Sequence, residues 1–220
     1  MESIKILKGD FGKAVLEECN ARIKEDYHDN ENLKVLRYDE KQDVITGSNS
    51  FVLPLVNKII SRQWHTATQT ELEKIIKKSG VLKKGIYVNT GLVSRTNEEP
   101  NSYLANDLIA QLGNIELPVM IPFKNAELRN DDNSPYGLAF NIIGEIIYAP
   151  ILNSIPGYFS SEDIDEETGL PKKLERGKRI FYTRNTGLCN TCMLGNFDVC
   201  TSDEHLALSG YDGRIVIVND

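Results

Sequence analysis

The stretch "YLANDLIAQLGNIELPVMIPFKNAEL", residues 103–128, joins an amphipathic helix to two short apolar segments. Leu104, Leu108 and Leu112 recur at helical spacing and give the first half one apolar face, which Gly113 closes. For roughly a hundred residues after Gly113 the chain shows little helical periodicity. The stretch therefore predicts an α+β fold with two helices, short strands and long irregular loops.

The second helix of this pair is predicted upstream, in "TATQTELEKIIKKSG", residues 66–80. Thr68 or Thr70 can cap its start, and Glu71 falls in the first turn, where a carboxylate favours the helix dipole. Gly80 supplies a stop. A domain beginning at residue 66 follows from this pattern.

Residues 1–65 form an N-terminal segment of open role. It contains a predicted amphipathic helix in residues 10–27, with Asp10 as its N-cap, and predicted strands in residues 3–7, 32–39 and 43–47. The apolar stretch at 50–64 contains Pro54, which leaves its type of element open.

Three further strands are predicted downstream. They are "GIYVNTGLVSR" at 85–95, which can also be a strand pair, "RIFYTR" at 179–184 and "GRIVIVND" at 213–220. The last has too few polar alternations for an exposed edge strand. Residues 160–178 are charged and turn-forming, which predicts an exposed loop, and its acidic run at 162–167 lacks the spacing of a calcium loop.

Composition limits the possible partners. The chain has 220 residues and a net charge of −7, and its Lys and Arg residues are scattered, which argues against nucleic acid. It has no apolar run long enough for a transmembrane helix, and its first residues lack the apolar core of a signal peptide. Reduced thiols are therefore expected, and the location stays open, with a virion or cell surface among the options.

Three of the four cysteines lie in "GLCNTCMLGNFDVCTSDEH", residues 187–205. Cys189, Cys192, Cys200 and His205 have the spacing C-x2-C-x7-C-x4-H, which is acceptable for a structural zinc site. A disulfide cluster is less favoured, because three local cysteines leave one unpaired.

The residue types around these cysteines favour a third interpretation. Residues 189–212 lack Lys, Arg, Gln, Trp, Pro and Ile, and every residue except Met193 and Glu204 can be reached from an asparagine codon by changing only its adenines. Three cysteines can therefore occur together without sharing any chemistry. We call residues 189–212 the variable window.

Three segments carry a family resemblance over residues 66–220. The opening stretch resembles the helix and following segment of C-type lectin folds of the formylglycine-generating-enzyme type. "NSPYGLAFNIIGEIIY", residues 133–148, is similar to that family's "GLYDM-x-GNVWEW" motif, and residues 212–220 are similar to its terminal "GFRLVRD". The family's motif tryptophans are absent, because the only Trp is Trp64.

Within that family, the variable window resembles the diversified region of a diversity-generating-retroelement target protein. The resemblance implies a non-enzymatic binding protein without metal or cofactor, whose partner is a protein or a cell-surface ligand. An enzyme of the formylglycine-generating type is a weaker alternative, since the terminal strand lacks that enzyme's cysteine. The implied ligand-binding residues are Asn190, Thr191, Cys192, Gly195, Asn196, Phe197, Asp198, Cys200, Thr201, Ser202, Asp203, His205, Ser209, Gly210, Tyr211 and Asp212.

Some residues in and beside the window are predicted to have structural roles rather than to bind a ligand. Leu188, Leu194, Leu206 and Ala207 are expected to anchor the window in the core. Arg214 occupies a frame position beside Gly213 and is expected to be structural. The remaining polar residues can form a binding surface or an ordinary solvated loop, and the mixture of Tyr and Phe with Ser, Asn, Gly and Asp suits a binding surface.

Overall fold

The computed structural model describes residues 4–60, 63–76 and 85–219. Within these residues the protein is a mixed α+β fold with four α-helices and a curled seven-stranded sheet. The helices are α1 (Gly9–Asp26), α2 (Val52–Ile59), α3 (Gln69–Ile76) and α4 (Ser102–Leu112). No helix in the described ranges is long and apolar enough to cross a membrane.

The strands are short, as expected. They are β1 (Ile4–Ile6), β2 (Arg37–Asp39), β3 (Val44–Thr46), β4 (Trp64–Thr66), β5 (Tyr87–Ser94), β6 (Val119–Pro122), β7 (Ala126–Asn130), β8 (Leu138–Ile142), β9 (Ile147–Tyr148), β10 (Gly157–Phe159), β11 (Arg179–Tyr182), β12 (Leu188–Leu194), β13 (Val199–Asp203) and β14 (Val216–Asn219). Short 3-10 turns lie at Glu31–Leu33, Phe123–Asn125 and Pro150–Asn153.

The large sheet has the strand order β10-β11-β13-β12-β5-β6-β9. All neighbours are antiparallel except β11 and β13, which run parallel. Strand β12, which carries the start of the variable window, therefore lies in the middle of the sheet between β13 and β5. Both faces of β12 are also covered, because Leu188 packs in one hydrophobic cluster and Met193 in another, and this accounts for its nearly continuous burial.

Strands β1 and β4 form one small sheet with the C-terminal strand β14. Its order is β1-β14-β4, so β14 is central, as the lack of polar alternation predicted. The largest hydrophobic cluster combines Leu7, Ile45 and Phe51 with Leu188 and Leu206 of the window region. The described part of the N-terminal segment is thus packed into the same core as the window, and residue 65 lies within β4 rather than between elements.

The predicted start of α3 and the predicted end of α4 are confirmed, but the predicted start of α1 is wrong. Thr68 and Glu71 form a reciprocal cap at the start of α3, with Thr68 N donating to Glu71 Oε2 over 2.8 Å and Glu71 N to Thr68 Oγ1 over 3.3 Å. Gly113 ends α4 with a positive φ of 66°. Asp10 is not the cap of α1: the cap residue is Lys8, and Asp10 lies in the first turn, where its charge favours the helix dipole.

Other predicted elements differ in extent. The 32–39 segment is a strand only from Arg37, and the open 50–64 stretch contains α2. Residues 85–95 form one strand, β5. The loop at 160–178 is largely exposed, but Ile164 and Leu170 anchor it in a second hydrophobic cluster. The predicted stop at Gly80 lies outside the described residues.

Candidate functional site

The structure divides the predicted binding residues by burial. Five of them are buried, seven are partly buried and four are exposed. The buried ones are Asn190, Thr191, Cys192, Asp198 and Thr201; the partly buried ones are Gly195, Phe197, Cys200, Ser202, Asp203, Ser209 and Gly210; the exposed ones are Asn196, His205, Tyr211 and Asp212. The buried set belongs to β12, β13 and the end of their turn, so these side chains contribute to the sheet rather than to an outer surface.

Three of the four expected anchors of the window pack in or against the largest hydrophobic cluster, whereas Leu194 is only partly buried and lies in none of the three hydrophobic clusters. Leu188 and Leu206 are completely buried in the largest hydrophobic cluster, against which Ala207 also packs. Arg214 is buried and its Nη1 donates to Tyr211 O over 2.8 Å, which matches the expected structural role. The backbone between residues 206 and 214 is therefore fixed at both ends while its side chains reach solvent.

Two cavities flank this segment and share residues 208–210 as a common wall. The Asn190 cavity has a volume of about 350 Å³ and is lined by Tyr87, Asn89, Asn190, Asp203, His205, Leu208, Ser209 and Gly210. The Tyr211 cavity has a volume of about 220 Å³ and is lined by Lys34, Val35, Arg37, Thr46, Gly47, Ala207, Leu208, Ser209, Gly210 and Tyr211. The structure thus gathers Asn190, Asp203, His205, Ser209, Gly210 and Tyr211 around one place.

The Asn190 cavity is lined by a chain of polar groups. Asn190 Nδ2 donates to Asn89 Oδ1 over 2.7 Å, and Asn89 Nδ2 donates to Ser48 Oγ over 3.1 Å. Asn190 is 3% exposed, and its Oδ1 has no hydrogen-bond partner among the described residues. A buried acceptor without a partner is costly, and this oxygen is itself inaccessible to solvent.

Tyr87 connects the wall at 208–210 to Ser48 of the N-terminal segment through its hydroxyl group. Its hydroxyl donates to Ser48 O over 3.0 Å and accepts from Gly210 N over 2.9 Å. Burial raises the pKa of Tyr87, so the hydroxyl keeps its proton for the first of these bonds. Ser48 N also donates to Ser209 Oγ over 2.8 Å. The wall is therefore held by hydrogen bonds to both Tyr87 and Ser48.

The Tyr211 cavity presents a large aromatic side chain and a cation. Tyr211 is 73% exposed, and the Arg37 guanidinium lies 5.0 Å from its ring centre and donates to its hydroxyl. Gly47 lines the cavity with a φ of +91°, and a Cβ there would lie 2.1 Å from Val35 O. Only glycine fits at this position, which brings the strand backbone close to the wall.

The zinc alternative requires four side chains that the fold separates. Cys189 pairs with Val93, which packs in the second hydrophobic cluster, whereas Cys192 pairs with Asn89 of the Asn190 cavity. Opposite residues of an antiparallel pair share a face, so Cys189 and Cys192 point to opposite sides of the sheet. No group of three metal-binding side chains occurs in the described ranges.

Side-chain alternation explains the separation of the two cysteines, because they lie three residues apart in β12 and an odd spacing in a strand puts two side chains on opposite faces. Thr90 is an extra residue in β5, since Thr191 pairs with Gly91 but Cys192 with Asn89. On its side of the sheet, Cys189 interacts electrostatically with the buried guanidinium of Arg95. Burial lowers the pKa of Arg95 to about 10, and the group is held by Leu152 O and Thr201 O at 3.0 and 2.8 Å.

Sequence reasoning missed the contribution of residues 34–49 to this site. Ser48, Asn49 and Arg37 carry no motif, and they reach the window only through contacts distant in sequence. Asn49 Nδ2, for example, donates to Ala207 O over 2.8 Å. No local pattern in the chain indicates such a contact.

The chain was compared with protein-family models, with curated proteins and with solved structures, and none of them matches. The site is therefore interpreted from its own geometry.

Proposed function

We propose that this protein is a non-enzymatic binding protein whose recognition surface is formed by residues 202–212 and the two cavities beside them. The observation that carries this proposal is the shared wall at 208–210, which is fixed by hydrogen bonds from Gly210 N to the Tyr87 hydroxyl and from Ser48 N to Ser209 Oγ, yet lies between two open cavities. A wall that is already ordered loses little conformational entropy when a ligand binds.

The chemistry of this surface suits a protein or cell-surface ligand. Leu208 and Tyr211 are 67% and 73% exposed and stand on either side of Ser209 and Gly210. Exposed tyrosine beside small polar residues gives a large rigid contact area together with adaptable hydrogen bonding.

We further propose that the scaffold is C-type-lectin-like and that the exposed positions of the window are the ones diversified by a retroelement. The buried positions of β12 and β13 then serve as framework, since substitutions there disturb a packed sheet. The four exposed and the partly buried loop positions accept many residue types, as surface loops generally do.

Binding is tested by removing the two exposed apolar side chains. The fluorescently labelled protein, a Leu208→Ala/Tyr211→Ala variant and an Ile155→Ala/Tyr158→Ala control are incubated with cells from the source of the gene and with an array of purified glycans. Ile155 and Tyr158 are also strongly exposed but lie outside both cavities. We expect the first variant to lose at least about tenfold in affinity and the control to bind like the wild type.

Equal binding by both variants would contradict the proposed surface. The diversification is tested separately in the neighbouring DNA. A near copy of the segment coding for residues 189–212, differing only at adenines and lying beside a reverse-transcriptase gene, is expected. Without such a copy, the retroelement part of the proposal fails, while the binding surface can still stand.

A further inference from the structure

Two cysteines of the variable window face each other across neighbouring strands. In the register of β12 and β13, Cys192 lies directly opposite Cys200. Directly opposed residues of an antiparallel pair have Cα atoms about 4.5–5.5 Å apart, and disulfides span about 4.4–6.8 Å. The backbone therefore already brings the two thiols within bonding range.

The two thiols differ in access and polarisation. Cys192 is buried, whereas Cys200 is partly exposed and its Sγ lies 3.7 Å from Ser202 Oγ. Interaction with the facing Cys192 thiol, with help from Ser202 N–H, lowers the pKa of Cys200 from its ordinary value, and the same interaction raises the pKa of Cys192. Cys200 is thus the thiol that attacks a disulfide first, and the buried Cys192 is the thiol that then attacks the mixed disulfide.

The remaining cysteines lack this arrangement. Burial raises the pKa of Cys19 to about 12 and that of Cys189 to about 11. Cys19 lies in α1, and Cys189 lies on the opposite side of the sheet from Cys192. Both serve as internal controls for thiol reactivity.

From this geometry we infer that Cys192 and Cys200 form a reversible thiol–disulfide site that reacts with low-molecular-weight disulfides such as oxidised glutathione. The Cys200 thiolate attacks one sulfur of oxidised glutathione, which forms a mixed disulfide and releases one glutathione thiolate. Cys192 gives its proton to that thiolate, attacks Cys200 Sγ and releases the second glutathione. Two protein thiols are oxidised, and one glutathione disulfide is reduced to two thiols.

This site is independent of the proposed binding function. It places a covalent link between the two strands that lead into the 202–212 surface, because β13 ends at Asp203 and Asn190 pairs with Asp203. The link would fix the β12–β13 hairpin and leave the wall at 208–210 unconnected to it.

The test uses the full chain, folded and treated with oxidised glutathione, followed by alkylation of free thiols. Trypsin leaves Cys189, Cys192 and Cys200 in one peptide, residues 185–214, which contains no internal Lys or Arg. Cyanogen bromide then cleaves after Met193, between Cys192 and Cys200. We expect a peptide that has lost two hydrogen atoms and whose halves stay joined until a reductant is added.

Three variants identify the thiols involved. Cys189→Ser should behave like the wild type, Cys192→Ser should retain one glutathione on Cys200, and Cys200→Ser should not react. The inference is overturned if the wild-type halves separate without reductant, or if Cys189→Ser abolishes the link. If Cys192→Ser does not fold, the wild-type and Cys189→Ser cleavage patterns still decide the question.

Discussion

Asn190 donates a hydrogen bond from Nδ2 to Asn89 Oδ1 over 2.7 Å, which joins the two central strands β12 and β5 beside the Asn190 cavity. Both side chains are almost fully buried. Replacing Asn190 by Ala leaves Asn89 Oδ1 without this donor in a buried place. We expect the free energy of unfolding to fall by about 1–3 kcal/mol, measured by urea denaturation.

The matched control for this substitution is Asn185→Ala. Asn185 is exposed in the loop that precedes β12. Its replacement should change the free energy of unfolding by no more than about 0.5 kcal/mol. An equal loss in both variants would show that the Asn190–Asn89 bond contributes no specific stability.

The ion pair between Arg179 and Glu73 joins α3 to β11. Arg179 Nη1 donates to Glu73 Oε2 over 2.8 Å, and both side chains are buried. Glu73→Ala leaves a buried guanidinium charge without its carboxylate and should destabilise the protein by about 3–5 kcal/mol. Thermal or urea unfolding measures this loss.

An exposed pair provides the comparison for that variant. Lys173 and Glu175 are 3.2 Å apart, with both side chains more than half exposed. Glu175→Ala should change the free energy of unfolding by less than about 1 kcal/mol. If Glu73→Ala and Glu175→Ala lower the free energy of unfolding by the same amount, burial does not strengthen the Arg179–Glu73 ion pair.

Glu71 gives the stability a specific dependence on pH. Burial raises its pKa, but the hydrogen bonds from His65 and from Thr68 N–H outweigh burial and lower the pKa to about 2. Because the folded-state pKa lies below the ordinary value of 4.5, the stabilisation is complete above that value and is lost as the pH falls towards 2. Glu71→Gln should therefore cost up to about 3 kcal/mol at pH 6 and less than half of that at pH 3.

This dependence is measured by urea denaturation of the wild type and Glu71→Gln across pH 3–6. Glu175→Gln serves as the control, since its carboxylate is exposed, and the difference from the wild type should stay small at every pH. A constant difference between Glu71→Gln and the wild type over this range would contradict the lowered pKa.

Oxidation of Cys192 and Cys200 should stabilise the folded protein. The bond would close a loop of only nine residues, which in the chain-entropy estimate adds about 2–3 kcal/mol to the free energy of unfolding. Unfolding of the oxidised and reduced forms in urea measures the difference, and Cys200→Ser should show none. A lower stability after oxidation would mean that the strand geometry is strained by the bond.

Local sequence signals predicted the helices better than the site. The cap at Thr68 and Glu71 and the stop at Gly113 depend on neighbouring residues, and they were correct. Asp10 was misplaced as a cap, because the same residue types favour both the cap and the first turn. Pro54 hid α2, although proline is tolerated in the first turn of a helix, where the structure places it.

The candidate site could be predicted only in part. Residue types alone group Asn190 with Tyr211, but the structure puts the first among buried strand residues and the second in solvent. An amino-acid composition carries no information on which side of a strand a residue faces. An extra residue such as Thr90 changes that side for every position beyond it.

Local periodicity and apolar side chains were enough to predict the mixed α+β class, the central position of the last strand and the core roles of Leu188 and Leu206. Only the folded chain places Cys192 directly opposite Cys200 and brings Ser48 and Arg37 to the surface around residues 208–211. These relationships depend on strand register and on contacts between distant segments, which no short pattern of residues encodes.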